Sequence, residues 1–121
     1  MARILIADDT LIMRSFIKTV LIKAGHSIAG EAENGEEAYN KYKEVLPDIV
    51  TMDITMPVLN GIEASKKILN EFPKAKIIMT SALEQKNVIL EALEIGVKNY
   101  ILKPINKEKM IDLINEVVNS E

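Results

Sequence analysis

Three short apolar runs of this chain each lead directly into charged residues, and this limits the way the chain can fold. The runs are ILIA, DIVTM and YIL, and the residues that follow them are Asp8-Asp9, Asp53 and Lys103. A buried strand does not tolerate an unpaired charge in its middle, so each run predicts a strand that ends at the charge. If the strands are parallel neighbours, one edge of the sheet carries three carboxylates and one ammonium. Because crowded carboxylates disfavour one another's ionised form unless a cation shares the site, the sequence predicts a cation-binding site at this edge.

Five apolar runs alternate along the chain with five amphipathic stretches, a pattern typical of α/β proteins. The runs predict strands over Arg3–Ala7, Ser27–Glu31, Ile49–Met52, Ile77–Thr80 and Asn99–Leu102. The stretches predict helices over Leu11–Ala24, Glu36–Val45, Gly61–Glu71, Gln85–Ile95 and Lys107–Asn119. Gly25 and Gly96 lie where two of these helices should end in a left-handed residue. Several runs are too uniformly apolar to leave one face in water, so they predict a parallel sheet covered by helices on both faces.

The carboxyl ends of the predicted strands collect the residues with the most chemistry. In doubly wound sheets, ligands bind beyond these ends, at a topological switch point. The residues that fall there are Asp8, Asp9, Asp53, Thr80 and Lys103. Taken singly, Asp8-Asp9-Thr10 is more typical of a helix cap, Asp53 of a turn and Lys103-Pro104 of a strand exit. Their joint occurrence at strand ends favours a functional site.

Composition argues against several classes of protein. The 121 residues are 48% hydrophobic, which is ample for one core, so we expect a single domain over residues 1–121. A net charge of -3 without a basic block argues against a nucleic-acid partner. The absence of cysteine excludes disulfides and thiolate metal sites. No apolar run approaches the roughly 20 residues that span a bilayer, and no signal-peptide pattern is present, so we expect no membrane partner and a cytoplasmic domain.

Four segments of the chain resemble the response-regulator receiver family, in particular its single-domain chemotaxis members. The segments are ILIADDT, PDIVTMDITMPVLNGIEA, IIMTSA and NYILKP, and the resemblance runs from about Arg3 to Val118. It implies a flavodoxin-like, doubly wound α/β fold with a five-stranded parallel sheet of order 2-1-3-4-5 and five helices. This strand order is the order of the family and follows from the resemblance alone.

The resemblance also implies a phosphoryl-transfer site. The chain would accept a phosphoryl group from a phosphohistidine on a sensor kinase, with Asp53 as the nucleophile. Asp9, Asp53 and the backbone carbonyl of Thr55 would hold Mg²⁺, a hard cation that prefers oxygen ligands. Asp8 would orient one of the waters on the metal, and Lys103 would neutralise one phosphoryl oxygen. Such a protein takes up a phosphoryl group but is not a turnover enzyme.

A conformational switch is a further implication of the resemblance. Thr80 would donate its hydroxyl to the phosphoryl group and move toward it, and Tyr100 would rotate inward into the space that Thr80 leaves. The surface that changes would comprise the Gln85–Ile95 helix, the strand with Tyr100 and the Lys107–Asn119 helix. The family also places a cis peptide bond before Pro104.

The implied partners are proteins of a signalling pathway, and the chain is expected to act as a monomer. They are a CheA-like histidine kinase and a flagellar or archaeal-type motor switch or adaptor protein, with a phosphatase as a further candidate. A phosphorelay intermediate of the same fold stays open as an alternative. A Mg-dependent aspartyl phosphatase fits less well, because phosphatases of the haloacid dehalogenase type need a second Asp where this chain has Thr55. A flavin carrier also fits poorly, since Asp8 and Asp9 would repel the flavin phosphate.

Two residues depart from the family pattern. Ile105 follows the Lys-Pro pair, where relatives usually carry phenylalanine. Ala82 lies two residues after Thr80 and cannot hydrogen-bond a hydrolytic water, so we expect the aspartyl phosphate to persist longer than in relatives with a carboxylate or an amide there. The only histidine, His26, is interpreted as a surface or strand-start residue and as neither a ligand nor a base.

Overall fold

The centre of the fold is a parallel sheet with five strands. The computed structural model describes residues 1–82 and 86–120. The strands are β1 (Arg3–Ala7), β2 (Ser27–Ala32), β3 (Ile49–Asp53), β4 (Ile77–Ser81) and β5 (Asn99–Leu102). They lie in the order β2-β1-β3-β4-β5, and every neighbouring pair is parallel. The predicted fold class and strand order are confirmed.

Helices cover both faces of the sheet. They are α1 (Leu11–Lys23), α2 (Gly35–Val45), α3 (Gly61–Glu71), α4 (Lys86–Glu94) and α5 (Lys107–Val118). On one face, α1 and α5 contribute Ile17, Leu21, Met110 and Ile114 to a buried cluster, and on the other face α2, α3 and α4 contribute Ala38, Ile68 and Ala92. Because both faces are covered, the central strands β3 and β4 are buried along their whole length, as their apolar sequences predict. None of the helices in the described part of the chain is long and apolar enough to cross a membrane.

Polar residues at the helix starts and glycines at the helix ends set the element bounds. The side-chain oxygens of the N-cap residues accept hydrogen bonds from backbone amides three residues later, and these residues are Thr10, Asn34, Asn60 and Asn106. Gly25 and Gly96 have φ angles of 92° and 110°, in the left-handed region that favours glycine. Within the described residues, the observed bounds differ from the predicted ones by a single residue at most. Gln85, the predicted first residue of α4, lies outside the described residues.

His26 directly precedes β2, which confirms the prediction of a residue at a strand start. It is not a surface residue. The side chain is buried. Its Nδ1 accepts a hydrogen bond from the backbone amide of Ala2 at 3.0 Å, and its Nε2 lies 3.1 Å from Oδ1 of Asn115. These bonds give His26 a structural role that the sequence does not indicate.

Ile105 is buried despite its departure from the family pattern. It belongs to the same apolar cluster as Met110 of α5 and Ile17 of α1. Isoleucine at this position therefore still packs the segment before α5 against the rest of the core.

The loop between β3 and α3 is packed closely against its neighbours. A Cβ atom added to Gly61 would lie 2.1 Å from the backbone oxygen of Asp53, and one added to Gly35 would lie 2.0 Å from the backbone oxygen of Leu59. The amide of Gly61 donates to the Ile54 carbonyl at 2.8 Å, and the amide of Gly35 donates to the Leu59 carbonyl at 2.8 Å. Because glycine has no side chain, Gly61 can pack against the start of this loop and Gly35 against its end. These two contacts position the end of β3.

Replacing Thr51 by valine is expected to stabilise the fold. The Thr51 hydroxyl is buried in β3 and has no hydrogen-bond partner among the described residues. Because an unpaired buried polar group is costly, Thr51→Val should raise the free energy of unfolding by about 1 kcal/mol. Urea denaturation followed by circular dichroism measures this change. Thr51→Ser keeps the hydroxyl and removes a methyl group, so it should lower stability, and a valine variant that is less stable than wild type would contradict the prediction.

Candidate functional site

The carboxyl ends of β1 and β3 bring three aspartates together. Asp8 and Asp9 directly follow β1, and Asp53 is the last residue of β3. The two strands are hydrogen-bonded neighbours with Ala7 opposite Met52, so the residues that come next meet at one edge of the sheet. One carboxylate oxygen from each aspartate lies within 4.8 Å of the others. Asp8 and Asp53 are buried and Asp9 is exposed, so the group is open to solvent on one side.

Lys103 places a positive charge between the two buried carboxylates. Its Nζ lies 2.9 Å from Oδ2 of Asp8 and 3.5 Å from Oδ2 of Asp53. Its backbone amide donates to the Ser81 carbonyl at 2.9 Å, which joins the residue to the end of β4. The peptide bond between Lys103 and Pro104 is cis, as the family resemblance implies.

The buried charges of this edge shift the pKa values of two groups. Burial raises the pKa of Asp53 to about 6, with the charge of Lys103 opposing the rise and the charges of Asp8 and Asp9 adding to it. Burial by itself would lower the pKa of Lys103, but the hydrogen bond that Lys103 donates to Asp8 and the charges of Asp53 and Asp8 outweigh it and raise that pKa. Lys103 therefore stays protonated, and the ionised form of Asp53 would be favoured by a further cation.

Thr80 and Thr55 lie next to Asp53, whereas Tyr100 lies farther along the sheet. Thr80 lies on β4, where it is the register partner of Asp53 of β3, and it is buried. Thr55 is exposed, and its backbone forms a hydrogen bond with the Asp53 carboxyl group. Tyr100 lies on β5, where it is the register partner of Met79 of β4. Its half-buried side chain packs against the apolar cluster beneath α4. The structure thus brings the predicted site residues of β3 and β4 together, and their chemical roles stay predictions.

Asp8 is held in place by hydrogen bonds to both its side chain and its backbone. Its Oδ1 accepts from the backbone amide and the hydroxyl of Thr10, at 2.9 and 3.1 Å. Its own amide donates to the Ala32 carbonyl of β2 at 3.0 Å. Thr10 in turn caps α1 by accepting from the amide of Met13. A helix cap does form in this segment, and it does not compete with a cation site, because Thr10 and not an aspartate provides it.

The donor set at this edge suits a hard divalent cation. Three carboxylates offer oxygen ligands at short mutual distances, and Mg²⁺ prefers oxygen ligands, whereas Zn²⁺ is bound mostly through nitrogen and sulfur. The solvent-exposed side at Asp9 leaves space for the waters that Mg²⁺ retains. Both oxygens of Asp8 already have partners in Thr10 and Lys103, so Asp8 is better placed to orient a ligand than to be one.

Two further residues contact the backbone of this edge, and neither was predicted from the sequence as part of the site. Nη1 of Arg14 donates to the backbone carbonyl of Asp8 at 2.7 Å. Gly61 lies against the backbone of Asp53. A charged residue on an amphipathic helix indicates only a solvated face, so the sequence carries no signal for Arg14. A glycine at the first position of a helix, as Gly61 is in α3, is a weak sequence signal of close backbone packing.

A family model described as "Response regulator receiver domain" matches residues 4–115. The match spans most of the chain and includes the ends of β1, β3, β4 and β5.

Curated proteins and solved structures give a consistent result. Chemotaxis protein CheY of Thermotoga maritima is 50% identical over 115 residues, which cover 95% of this chain and 96% of that protein. Chemotaxis protein CheY of Bacillus subtilis is 46% identical over 117 residues, with coverage of 97% and 98%. The crystal structure of a CheX-CheY-BeF3-Mg²⁺ complex from Borrelia burgdorferi matches with a TM-score of 0.94 at 33% identity and covers 98% of this chain and 90% of that chain. The chain is therefore similar to chemotaxis proteins over nearly its whole length.

Proposed function

The chain belongs to the response regulator receiver domain family, and on this premise we propose that it is a chemotaxis response regulator that a histidine kinase phosphorylates on Asp53. Receiver domains similar to CheY are signalling proteins and not turnover enzymes. The observation that carries the proposal is a buried Asp53 carboxylate with Lys103 Nζ at 3.5 Å and two further carboxylates beside it. Under this proposal, residues 1–121 act as one receiver domain, as a monomer and in the cytoplasm.

Asp53 supplies the attacking oxygen in the proposed reaction. Its carboxylate forms a bond to the phosphorus of a phosphohistidine while the P–N bond breaks, and the electron pair leaves with the imidazole, which takes up a proton. Such a transfer depends mainly on an in-line nucleophile and on positive charge around the equatorial oxygens. Lys103, which already bridges the buried carboxylates, would neutralise one of these oxygens. Thr80 on the neighbouring strand would donate to another.

Asp9, Asp53 and the backbone carbonyl of Thr55 are the ligands we assign to Mg²⁺. When bound, Mg²⁺ supplies positive charge that offsets the negative charge of the phosphoryl group. Asp8 would hold Lys103 in place and orient a water, in keeping with the bonds that already occupy its oxygens. The similar Borrelia structure is a complex with BeF3 and Mg²⁺, which supports the choice of Mg²⁺ as the cation.

The output of the protein requires a change in a population of conformations. A phosphoryl group on Asp53 would attract Thr80, and Tyr100 would rotate inward, so that the face formed by α4, β5 and α5 changes its affinity for a motor or adaptor protein. A hydrogen bond to a charged group contributes about 1.5 to 3 kcal/mol. This energy changes a two-state ratio by roughly one to two powers of ten, which is enough for a signal.

The partners we propose are a CheA-like histidine kinase and a flagellar or archaeal-type motor switch or adaptor protein. A protein related to CheX is a further candidate, because the Borrelia CheY was solved in complex with CheX. A phosphorelay intermediate would have the same site and would differ in passing the phosphoryl group onward. Capture of partners with the BeF3-bound form, compared with the resting form, would identify the output.

The proposed chemistry is tested by incubating the protein with a small-molecule phosphodonor and Mg²⁺. The expected result is one acyl phosphate per chain, located on Asp53 by mass spectrometry, and none when a chelator removes Mg²⁺. Continuous release of phosphate with many turnovers would instead favour the phosphatase alternative. No adduct in the presence of Mg²⁺ would contradict the proposal.

Ala82→Glu is expected to shorten the lifetime of the aspartyl phosphate. Ala82 is exposed and lies two residues after Thr80, where a longer acidic side chain could reach a hydrolytic water. A positioned carboxylate should accelerate hydrolysis by about tenfold or more, since general bases commonly contribute more than this. Decay of phosphoprotein after removal of the donor measures the effect. Ala82→Leu, which cannot hydrogen-bond a water, is the matched control, and an unchanged or longer lifetime in the glutamate variant would refute the prediction.

A further inference from the structure

Arg14 connects the first helix to the turn that carries Asp8 and Asp9. Its Nη1 donates to the backbone carbonyl of Asp8 at 2.7 Å, and its Nε donates to Oε1 of Glu31 at 3.2 Å. The side chain is only 12% exposed, although it lies on an outer helix. We propose that Arg14 is a positioning residue that fixes the Asp8-Asp9 turn for binding a divalent cation. This inference rests on the proposed function, because it concerns the same site.

Glu31 holds the guanidinium of Arg14 in its orientation. Glu31 lies on the edge strand β2, and its second oxygen, Oε2, is 2.7 Å from Nζ of Lys18. The hydrogen bond from Lys18 lowers the pKa of Glu31, and Arg14 adds to this effect. Glu31 therefore stays ionised, and it binds Arg14 through Oε1 and Lys18 through Oε2. A planar guanidinium can use two different nitrogens for Glu31 and for the Asp8 carbonyl at the same time.

The Asp8-Asp9 turn is thereby attached on both sides of Asp8. The amide of Asp8 donates to the Ala32 carbonyl of β2, and the carbonyl of Asp8 accepts from Arg14. Asp9 comes next along the chain and is exposed, so the direction of its carboxylate depends on the backbone of this turn. Partners that orient metal ligands without touching the metal are commonly worth a factor of about 10 to 100 in metal affinity.

The positive charge of Arg14 has the opposite effect on a cation. Placed near an acidic group, this charge competes electrostatically with Mg²⁺, so simple charge removal would strengthen Mg²⁺ binding. The two effects are separated by comparing Arg14→Lys, which keeps the charge and loses the planar fork, with Arg14→Gln, which loses both. If positioning dominates, both variants bind Mg²⁺ more weakly. Lys18→Gln is the matched control, because Lys18 lies on the same helix and binds the same Glu31 but does not contact Asp8.

Calorimetric titration of the full chain with Mg²⁺ tests the inference. We expect Arg14→Lys to bind Mg²⁺ about tenfold more weakly than wild type, and Lys18→Gln to change the affinity by less than about twofold. Glu31→Gln, which loosens the guanidinium, provides a second variant and should also weaken binding. Thermal unfolding without Mg²⁺ confirms that each variant is folded. Wild-type affinity in Arg14→Lys and Glu31→Gln, or tighter binding in Arg14→Gln, would overturn the inference.

The rate of phosphorylation at increasing Mg²⁺ gives a readout that a general structural defect would not produce. Arg14→Lys should need about tenfold more Mg²⁺ to reach half its maximal rate, and should reach the wild-type rate at saturation. A reduced rate at saturation with an unchanged Mg²⁺ requirement would overturn the positioning role while leaving the proposed function intact. Failure of the wild-type protein to bind Mg²⁺ would overturn both.

Discussion

Asp53→Asn is expected to abolish phosphorylation completely. The amide nitrogen and oxygen of asparagine are poor nucleophiles, and Asp8, the other buried carboxylate, is already bonded to Thr10 and Lys103. Incubation with a phosphodonor and Mg²⁺, followed by mass spectrometry of the intact chain, should show no adduct. The loss of phosphorylation should be complete because the substitution removes the oxygen that forms the bond to phosphorus.

The matched control for this variant is Asp48→Asn. Asp48 directly precedes the other end of β3, where its Oδ2 accepts a hydrogen bond from the amide of Arg3 at 2.8 Å. The same chemical change at this distant end should leave phosphorylation intact. Stoichiometric labelling of Asp53→Asn, or an adduct that maps to a different residue in wild type, would disprove the role of Asp53.

Asp53→Asn is also expected to stabilise the cation-free protein at neutral pH. Burial raises the pKa of Asp53 from an ordinary 3.8 to about 6, so ionising this group in the folded protein is unfavourable. A rise of this size corresponds to roughly 3 kcal/mol, because each pKa unit is worth about 1.4 kcal/mol. Asparagine has a similar shape and no charge, so the variant should gain about this amount at pH 7.

The sign of this effect sets its pH dependence. The folded state binds the Asp53 proton more tightly than the unfolded state, so the contribution of Asp53 to stability is present below about pH 4 and is lost as the pH rises through about 6. The advantage of Asp53→Asn should therefore be near zero at pH 4 and largest at pH 7. Urea denaturation in the presence of a chelator at both pH values measures it.

Addition of Mg²⁺ provides a second comparison for the same pair of proteins. A cation beside Asp53 favours its ionised form, so Mg²⁺ should stabilise the wild type much more than Asp53→Asn. Asp48→Asn should respond as the wild type does. An advantage of Asp53→Asn that is the same at pH 4 and pH 7 would show that the buried charge is not its cause.

Much of the architecture could be predicted from the sequence because its signals are local. Apolar runs of strand length define the five strands, and charged residues end three of them. Gly25 and Gly96 mark helix ends through a backbone conformation that disfavours other residues. The strand order was predicted from resemblance to a family, since a local pattern does not specify which strands become neighbours.

The candidate site could be predicted only in its residue types and their positions at strand ends. That Asp8 would pair with Lys103, 95 positions away in sequence, depends on the arrangement of β1, β3, β4 and β5 in one sheet. The contact of Arg14 with the Asp8 carbonyl and the burial of His26 depend in the same way on packing between elements. Polar residues that serve such contacts have the same local sequence pattern as solvated ones.

The sequence by itself therefore determined the elements of this protein and the group of charges at their ends, because backbone geometry and hydrophobic periodicity act over a few residues. Only the tertiary structure decided which of these charges are buried, which are paired and which face water. That decision sets the pKa of Asp53 and the environment of Lys103, because desolvation and Coulomb interactions depend on distances between segments that are remote along the chain.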